Sequence, residues 1–335
     1  QLFIPARITD AQSDMLREKN PKATIVTTDW NQLTGAQILK AMESEDDFVQ
    51  ALLEQANYVI LRTLRLDAPE IAHLNRCKLI QRWGAGFDTV DIAAAGKRGI
   101  PVAVTAGMNA TPVSEMALAL MLAVYRNVVP MTLDAMDGTW SRESYAKRSY
   151  TVSGKTVGIY GIGNIGRKVA ALVKAFGAEV IYYDPFRLPE NRERELGVTF
   201  VDPDTLLKKA DILSLHAPLT EQTRNFICAE TLAKMKDGAV LINTAREELV
   251  DYAAAAQALR SGKLLGAGFD AIEEDLVRSN PFVGLKNVVL TQHLGGNTTD
   301  NAVQMARRIA QQITAVRDGK KLEKPHLVNG DYLQE

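Results

Sequence analysis

A glycine-rich turn is the first feature of this sequence that could do chemistry. Gly161, Gly163 and Gly166 form a G-x-G-x-x-G segment directly after a β-type run, and a helical pattern follows over Arg167–Phe176. In that context the glycines permit a tight turn, close approach of the backbone to a pyrophosphate, and close packing of helix on strand. Asp184 ends the next predicted strand, where a carboxylate can accept both ribose hydroxyls and repel a 2′-phosphate. The pattern predicts a dinucleotide site that prefers NAD over NADP.

Histidine is the second feature, because an enzyme that moves a hydride to or from a carbonyl carbon must also move a proton. The chain has four histidines. His73 lies in a helical pattern, His326 lies in a polar C-terminal segment, and His216 ends a predicted strand, where lining a cofactor is the favoured role. His293 follows the last predicted strand, at the edge where open α/β sheets bind ligands. Its imidazole, with an ordinary pKa of ~6.5, is the predicted proton donor and acceptor.

Charged residues after two other predicted strands complete this chemistry. Arg246 lies just beyond the strand Ala239–Asn243, and its guanidinium could hold a carboxylate or a carbonyl oxygen through paired donors. An acidic run at positions 273–275 follows the strand that ends at Asp270. One of its carboxylates could orient His293 and raise the pKa of that imidazole.

Two series of alternating β-type and helical patterns supply the framework for these residues. The first series precedes residue 105 and the second begins at Thr156, which predicts parallel sheets with helices on their faces. The predicted strands are Ala23–Val26, Tyr58–Leu61, Lys78–Arg82 and Gly99–Val104 in the first series, and Thr156–Tyr160, Glu179–Tyr183, Asp211–Leu215, Ala239–Asn243, Gly266–Asp270 and Val288–Thr291 in the second.

Helical patterns lie between most of these strands. The longest predicted helix runs from Pro112 to about Met136, with Thr111 as its N-cap. A polar, exposed loop is predicted over Asp137–Ser153, and an earlier helix over Asp46–Gln55. The final helix, from Asp300 to about Asp318, could return to the first domain and make that domain discontinuous.

Composition limits the partners that this chain is expected to have. With 335 residues the prior is two domains, and 39 basic against 40 acidic residues give no electrostatic reason to expect nucleic acid or an anionic membrane. The longest apolar run, Met116–Tyr125, is too short for a transmembrane helix, and the N-terminus shows no signal-peptide pattern. Two cysteines form neither a disulfide framework nor a paired metal clamp, so we expect a cytoplasmic protein without a metal site.

Six sequence blocks together resemble the D-isomer-specific 2-hydroxyacid dehydrogenase family, which includes D-3-phosphoglycerate dehydrogenase, glyoxylate/hydroxypyruvate reductase and D-lactate dehydrogenase. The blocks occur in the family's order over roughly residues 55 to 317, which makes the resemblance far more specific than the glycine motif alone. They are Trp83–Asp88, Val113–Leu118, Gly161–Gly166, Asn243–Arg246, Gly268–Asp270 and Thr291–Gly296.

The resemblance implies an α/β fold with two domains and an NAD-dependent reaction. A Rossmann NAD-binding domain would span residues 105–299, and a flavodoxin-like substrate domain would combine residues 1–104 with 300–335. The implied activity is the interconversion of a D-2-hydroxy acid and its 2-oxo acid, with His293 as proton donor and acceptor. Family members are commonly homodimers through the cofactor domain, with the long helix after Thr111 contributing.

The resemblance also implies site residues. Backbone N–H groups of Gly84, Ala85 and Gly86 would bind the substrate carboxylate, and Arg246 would position the substrate. The predicted catalytic residues are Arg246, Asp275 and His293. The predicted cofactor contacts, including strand-end residues near the same sheet edge, are Gly161, Gly163, Asn164, Ile165, Gly166, Asp184, His216, Pro218, Thr244, Ala245, Asp270 and Gly296.

Three departures from the family pattern keep alternatives open. Asp275 stands where the family usually has a glutamate, so either the shorter Asp275 or the neighbouring Glu274 would pair with His293. Glu247 replaces the family's glycine after the arginine, and Gln292 replaces a proline before the histidine. These changes motivate a rival hypothesis, an NAD(H)-binding sensor or corepressor-like protein with little turnover. A third hypothesis keeps the enzyme but changes its substrate to phosphite or formate.

Overall fold

The computed structural model describes residues 2–4, 25–27, 56–62 and 65–333. Contacts between backbone positions divide the chain into two compact units, one of Gln1–Asn109 with Thr298–Glu335 and one of Ala110–Asn297. The expected division falls at residues 104 and 300, a few residues from these limits. The C-terminal helix therefore belongs to the same unit as the N-terminal strands. The predicted strand Ala23–Val26 is described only in part, and the predicted helix Asp46–Gln55 lies outside the described residues.

The first unit is built on a sheet of five parallel strands in the order β2-β1-β3-β4-β5, the order of flavodoxin-like sheets. The strands are β1 (Leu2–Ile4), β2 (Ile25–Thr27), β3 (Tyr58–Leu61), β4 (Leu79–Arg82) and β5 (Val102–Ala103). The described helices of this unit are α1 (Ala68–Ala72), α2 (Ile92–Lys97) and α12 (Thr299–Arg317), and a 3-10 turn follows at Gly330–Tyr332.

Apolar side chains alternate between the two faces of the sheet in the first unit, and they form a core on each face. On one face Ile60 and Leu79 pack against α12 through Met305, Ile309 and Ile313. On the other face the strand residues Val59, Ile80 and Val102 pack with Ile71 and Ala95 of the two short helices. Burial of both faces is why these strands are almost continuously apolar.

The second unit carries a seven-stranded parallel sheet in the order β12-β11-β10-β9-β6-β7-β8. Its strand order reverses between β6 and β9, which is the switch point where doubly wound sheets bind dinucleotides. The strands are β6 (Thr156–Tyr160), β7 (Glu179–Tyr183), β8 (Thr199–Phe200), β9 (Ile212–Leu215), β10 (Ala239–Asn243), β11 (Leu264–Phe269) and β12 (Val288–Leu290). The predicted α/β fold with parallel sheets is confirmed.

Helices cover both faces of the second sheet. They are α3 (Ala110–Tyr125), α4 (Val128–Met136), α5 (Arg142–Ala146), α6 (Asn164–Ala175), α7 (Glu190–Leu196), α8 (Pro203–Lys209), α9 (Ala229–Lys234), α10 (Tyr252–Ser261) and α11 (Glu274–Ser279). On one face Ile159 and Ile242 pack with α3 and α6, and on the other Leu213 and Phe269 pack with α8 and α10.

The predicted single helix from Pro112 to Met136 is wrong, because the structure contains two helices that meet at a 61° bend. Asn127 adopts a left-handed conformation with φ 51°, which ends α3 and begins α4. The region predicted as an exposed loop contains α5, whose buried Tyr145 donates its hydroxyl hydrogen to Asp134 at 2.7 Å. Within the described residues no single helix could span a membrane, although α3 and α4 together have sufficient length and apolar composition despite their bend.

Candidate active site

The turn of Gly161–Gly166, here called the phosphate turn, joins β6 to α6 at the switch point of the second sheet. Gly161 has φ 98°, and a Cβ there would lie 2.6 Å from the backbone nitrogen of Ala217. A Cβ on Gly166 would lie 2.2 Å from the carbonyl oxygen of Gly161. Gly163, by contrast, caps α6 in an extended conformation, and a Cβ there would meet nothing within 4 Å. Two glycines close the turn and the third leaves open space at a helix N-terminus, as a diphosphate requires.

Asp184 follows β7 and is tied to the same turn. Its Oδ2 accepts the backbone N–H of Ile162 at 2.9 Å, and its Oδ1 accepts that of Phe186 at 2.9 Å. These bonds fix the carboxylate beside the phosphate turn, while each oxygen keeps further lone pairs for ribose hydroxyls. The residues present therefore fit a dinucleotide that extends from the diphosphate to an adenosine ribose.

Asn243, at the end of β10, shapes the turn that carries Arg246. Its Oδ1 accepts the N–H of Ala245 at 3.0 Å and its Nδ2 donates to the carbonyl of Arg246 at 2.8 Å. The Asn243 side chain is completely buried, so this internal hydrogen bonding replaces the water that the polar group would otherwise need. Arg246 then begins a 3-10 turn, Glu247–Leu249, and its guanidinium Nη1 donates to the Ala245 carbonyl at 2.8 Å.

Asp270 organises the loop Gln292–Gly296, here called the histidine loop. Its Oδ1 accepts the hydroxyl of Thr291 at 2.6 Å and the N–H of Leu294 at 3.0 Å, and its Oδ2 accepts the N–H of Gly295 at 2.9 Å. The carbonyl of Asp270 accepts the N–H of His293 at 2.8 Å. This buried carboxylate therefore holds the loop, in addition to the cofactor contact predicted for it.

His293 is held in a backbone conformation that non-glycine residues rarely adopt, with φ 52°. Its Nδ1–H donates to Oε1 of Glu273 at 2.7 Å. This hydrogen bond is the main cause that raises the pKa of His293 above its ordinary value, while partial burial and the Arg246 guanidinium act in the opposite direction. Because Nδ1 is occupied by the carboxylate, Nε2 is the nitrogen that gains and loses the proton.

In the structure the carboxylate bonded to His293 belongs to Glu273, the residue immediately before α11, and not to Asp275 or its alternative, Glu274. The catalytic role of Asp275 stays a prediction. Glu274 begins α11 and forms an ion pair with Arg278 instead, and Asp275 lies exposed in the first helical turn. Helix formation turns the side chains of the acidic run in different directions, which linear spacing does not reveal.

His216 is buried and has a strongly depressed pKa. Its Nε2 lies 2.9 Å from the Ser214 hydroxyl and its Nδ1 lies 3.5 Å from the Thr244 hydroxyl. Burial lowers the pKa of His216 to about 3, so the imidazole is neutral at physiological pH. The cofactor-lining role of His216 stays a prediction.

The predicted carboxylate loop, 84–86, lies in the first unit after β4. Gly84 has φ 136°, and its N–H donates to the Thr105 hydroxyl at 3.0 Å, so that N–H is already used within the fold. Arg82 Nε donates to the carbonyl of Gly86 at 2.9 Å and stabilises the other end of the loop. The N–H groups of Ala85 and Gly86 have no acceptor among the described residues, so they are the two donors this loop can offer.

The remaining predicted cofactor residues lie at strand or helix ends of the second unit. Their cofactor role stays a prediction. They are Asn164 and Ile165 in the first turn of α6, Pro218 after β9, Thr244 and Ala245 after β10, and Gly296 after β12. Within the described part of the chain, no group of three or more histidine, cysteine or acidic residues could hold a metal ion.

Three contributors to this site were not predicted individually. Glu273 was one of three candidates, but nothing in the sequence separated it from its neighbours. Thr291 and Gly295 support Asp270, and a Cβ on Gly295 would lie 2.6 Å from the Asp270 Oδ2. The signal for Gly295 was present in the glycine pair of the histidine loop, whereas Thr291 carried no recognisable pattern.

The chain is similar to proteins of known family and fold. Residues 118–295 match the family described as D-isomer specific 2-hydroxyacid dehydrogenase, NAD binding domain. A glyoxylate reductase from Thermococcus litoralis is 38% identical over 280 residues, which covers 82% of this chain and 84% of that protein. A hydroxypyruvate reductase from Thermotoga maritima is 36% identical over 274 residues, which covers 80% of this chain and 87% of that protein. The crystal structure of the TT0316 protein from Thermus thermophilus has a TM-score of 0.83 and 34% identity, covering 98% of this chain and 99% of that one.

Proposed function

This chain belongs to the D-isomer-specific 2-hydroxyacid dehydrogenase family and is an NAD-dependent oxidoreductase, and we propose that it reduces a small 2-oxo acid, such as glyoxylate or hydroxypyruvate, to the corresponding 2-hydroxy acid. The observation that carries this proposal is the hydrogen bond between His293 and Glu273 in the unit that binds NAD. The names of the two reductases described above specify substrates of this class. These relatives give no support to the rival hypothesis of a sensor without turnover.

The residues present divide into a cofactor set and a proton-transfer set. The phosphate turn and the N-terminus of α6 would hold the diphosphate, and Asp184 would hold the adenosine ribose. NADH, when bound there, supplies a hydride to the carbonyl carbon of the substrate. His293 donates a proton from Nε2 to the carbonyl oxygen, and Glu273 stabilises the imidazolium that must be present before transfer.

Arg246 is proposed to hold the substrate carboxylate or its carbonyl oxygen, because a guanidinium can form paired hydrogen bonds with either group. The Asn243 side chain fixes the turn before Arg246 through bonds of 2.8 and 3.0 Å, so the arginine starts from an ordered backbone. An ordered starting position lowers the entropy lost when substrate binds.

The raised pKa of His293 gives the proposal a pH signature. Reduction requires the protonated imidazole, so its rate is maintained on the acid side and falls as pH rises through the pKa of His293. Oxidation of the hydroxy acid requires the neutral imidazole, so its rate falls as pH decreases through the same pKa. The two directions should therefore show opposite pH dependence around one shared value.

The test is direct. The purified protein is mixed with NADH, and absorbance is followed with glyoxylate, hydroxypyruvate, 3-phosphohydroxypyruvate, pyruvate and phenylpyruvate. Turnover of glyoxylate or hydroxypyruvate above the others supports the proposal. A preference for the phosphorylated or bulky acid would change the substrate class, and NADH binding without turnover of any acid would refute the proposed reaction.

We further propose that the protein is a homodimer. The surface of α4 and the segment after it carries apolar side chains that monomers rarely expose together, namely Leu133, Met136 and Trp140, which are 61, 81 and 87% exposed. Sedimentation or light scattering of the purified chain would measure the mass. Replacing Met136 and Trp140 with glutamate should yield monomers, and an unchanged mass would place the interface elsewhere.

A further inference from the structure

Glu247 lies next to Arg246 on the 3-10 turn, and the reaction proposed above assigns it no role. Its half-buried side chain reaches the segment that precedes α11, where Oε2 accepts the backbone N–H of Glu273 at 2.5 Å. A residue without a side-chain acceptor at this position could not form such a bond.

The position of the Glu273 carboxylate depends on how well its own backbone is held, more than it would for a buried side chain. Its side chain is 64% exposed, so water competes for its oxygens and the side chain loses entropy when it is fixed on His293. The segment before it is anchored by backbone bonds and by the Tyr252 hydroxyl, which donates to the Ala271 carbonyl at 3.1 Å. The N–H groups of Asp270 and Ala271 donate to the Asn243 carbonyl at 3.0 and 3.3 Å. The N–H of Glu273 is the next anchor, and it goes to the Glu247 side chain.

The location of Glu247 is electrostatically unfavourable. Burial is the main cause that raises the pKa of the Glu247 carboxyl group. The nearby carboxylates of Glu273, Glu248 and Asp275 also raise this pKa, whereas the hydrogen bond from the Glu273 backbone lowers it. The charged groups that face His293 are Glu273, Arg246 and Asp270. The one favourable interaction that Glu247 makes in this group is the bond that anchors Glu273.

We propose that Glu247 is a positioning residue that fixes the backbone of Glu273, so that the Glu273 carboxylate remains on Nδ1 of His293. The inference deepens the proposed function, because it concerns the proton donor of that reaction. The same 3-10 turn then carries both the arginine proposed to hold the substrate and the support for the histidine's partner. A single short segment would set the positions of both groups.

The experiment compares three variants. Glu247→Ala removes the acceptor, Glu247→Gln removes the charge but keeps an acceptor oxygen, and Glu248→Ala removes an exposed carboxylate from the same turn as a matched control. The titration of His293 is followed by NMR of the imidazole, with NADH binding as a check of folding. We expect a lower pKa of His293 in Glu247→Ala, with Glu247→Gln and Glu248→Ala close to the parent protein.

We expect the variants to rank in the same way in a kinetic measurement. In Glu247→Ala, kcat for reduction at alkaline pH should fall about three- to tenfold, the effect of weakening one hydrogen bond to a charged group, and Glu247→Gln should restore most of it. An unchanged His293 titration in Glu247→Ala would overturn the inference, as would a loss in Glu247→Gln equal to that in Glu247→Ala. Because the NMR titration needs no substrate, its outcome is independent of whether the proposed substrates are turned over.

Discussion

The phosphate turn and the histidine loop lie on the same sheet edge but are constructed differently. The phosphate turn comes from one continuous segment, and its geometry depends on backbone atoms and on the absence of side chains at Gly161 and Gly166. The histidine loop is held by Asp270, and its histidine is paired with Glu273, a residue 20 positions earlier in the chain. A motif made from local backbone geometry can be recognised by spacing, whereas one made from side chains of separate loops depends on tertiary packing.

Replacing His293 with asparagine should have the largest effect and separate the two regions most clearly. The proton donor would be lost, so kcat for reduction should fall about 10²- to 10⁴-fold. NADH affinity, measured by fluorescence titration, should remain within about twofold because the phosphate turn is untouched. Loss of NADH binding together with turnover would show that His293 has a structural role and that the two regions are not independent.

A pair of alanine substitutions tests the phosphate turn itself. Gly166→Ala places a Cβ 2.2 Å from the Gly161 carbonyl oxygen, so stability should fall by about 1–3 kcal/mol or more, measured by thermal unfolding. In Gly163→Ala the new Cβ meets no protein atom within 4 Å, so the melting temperature should be unchanged while NADH binding becomes weaker. Equal melting temperatures for both variants would contradict the close packing described for Gly166.

Amide replacements of the carboxylates near the histidine loop test whether Glu273 is the partner of His293. Glu273→Gln removes the charge that raises the pKa of His293, so the decline of reduction with rising pH should begin at a lower pH, and kcat at alkaline pH should fall about tenfold. Asp275→Asn, in the same acidic run, should shift the profile little. Should Asp275→Asn produce the larger shift, the partner assigned to His293 would be incorrect.

Asp184→Ala should produce the smallest of these effects. Removing the carboxylate beside the phosphate turn should lower the affinity for NADH about three- to tenfold, since one set of charge-assisted hydrogen bonds is lost. It should also reduce the repulsion of a 2′-phosphate, so the preference for NADH over NADPH should narrow. Binding titrations with both cofactors measure this, and an unchanged ratio would refute the ribose role of Asp184.

The histidine loop shows where sequence reasoning stopped. His293 and Arg246 could be selected because each follows a predicted strand, and parallel strands end at a common edge. The acidic run offered three carboxylates within three consecutive positions, and the choice among them depended on where α11 begins. Asn127 is a similar case, because its left-handed conformation divides a long apolar helix that periodicity alone predicts as continuous.

The sequence by itself determined the α/β fold and the cofactor class, because apolar strand patterns and the glycine spacing act through local geometry. The family was indicated by the resemblance of the six sequence blocks. It also determined which histidine and which arginine follow strand ends. Only the tertiary structure decided that Glu273 pairs with His293, that Asp270 holds the loop around it, and that the Gly84 N–H is already bonded to Thr105. These contacts join residues far apart in the chain, and their formation depends on side-chain directions that are set only when the elements pack together.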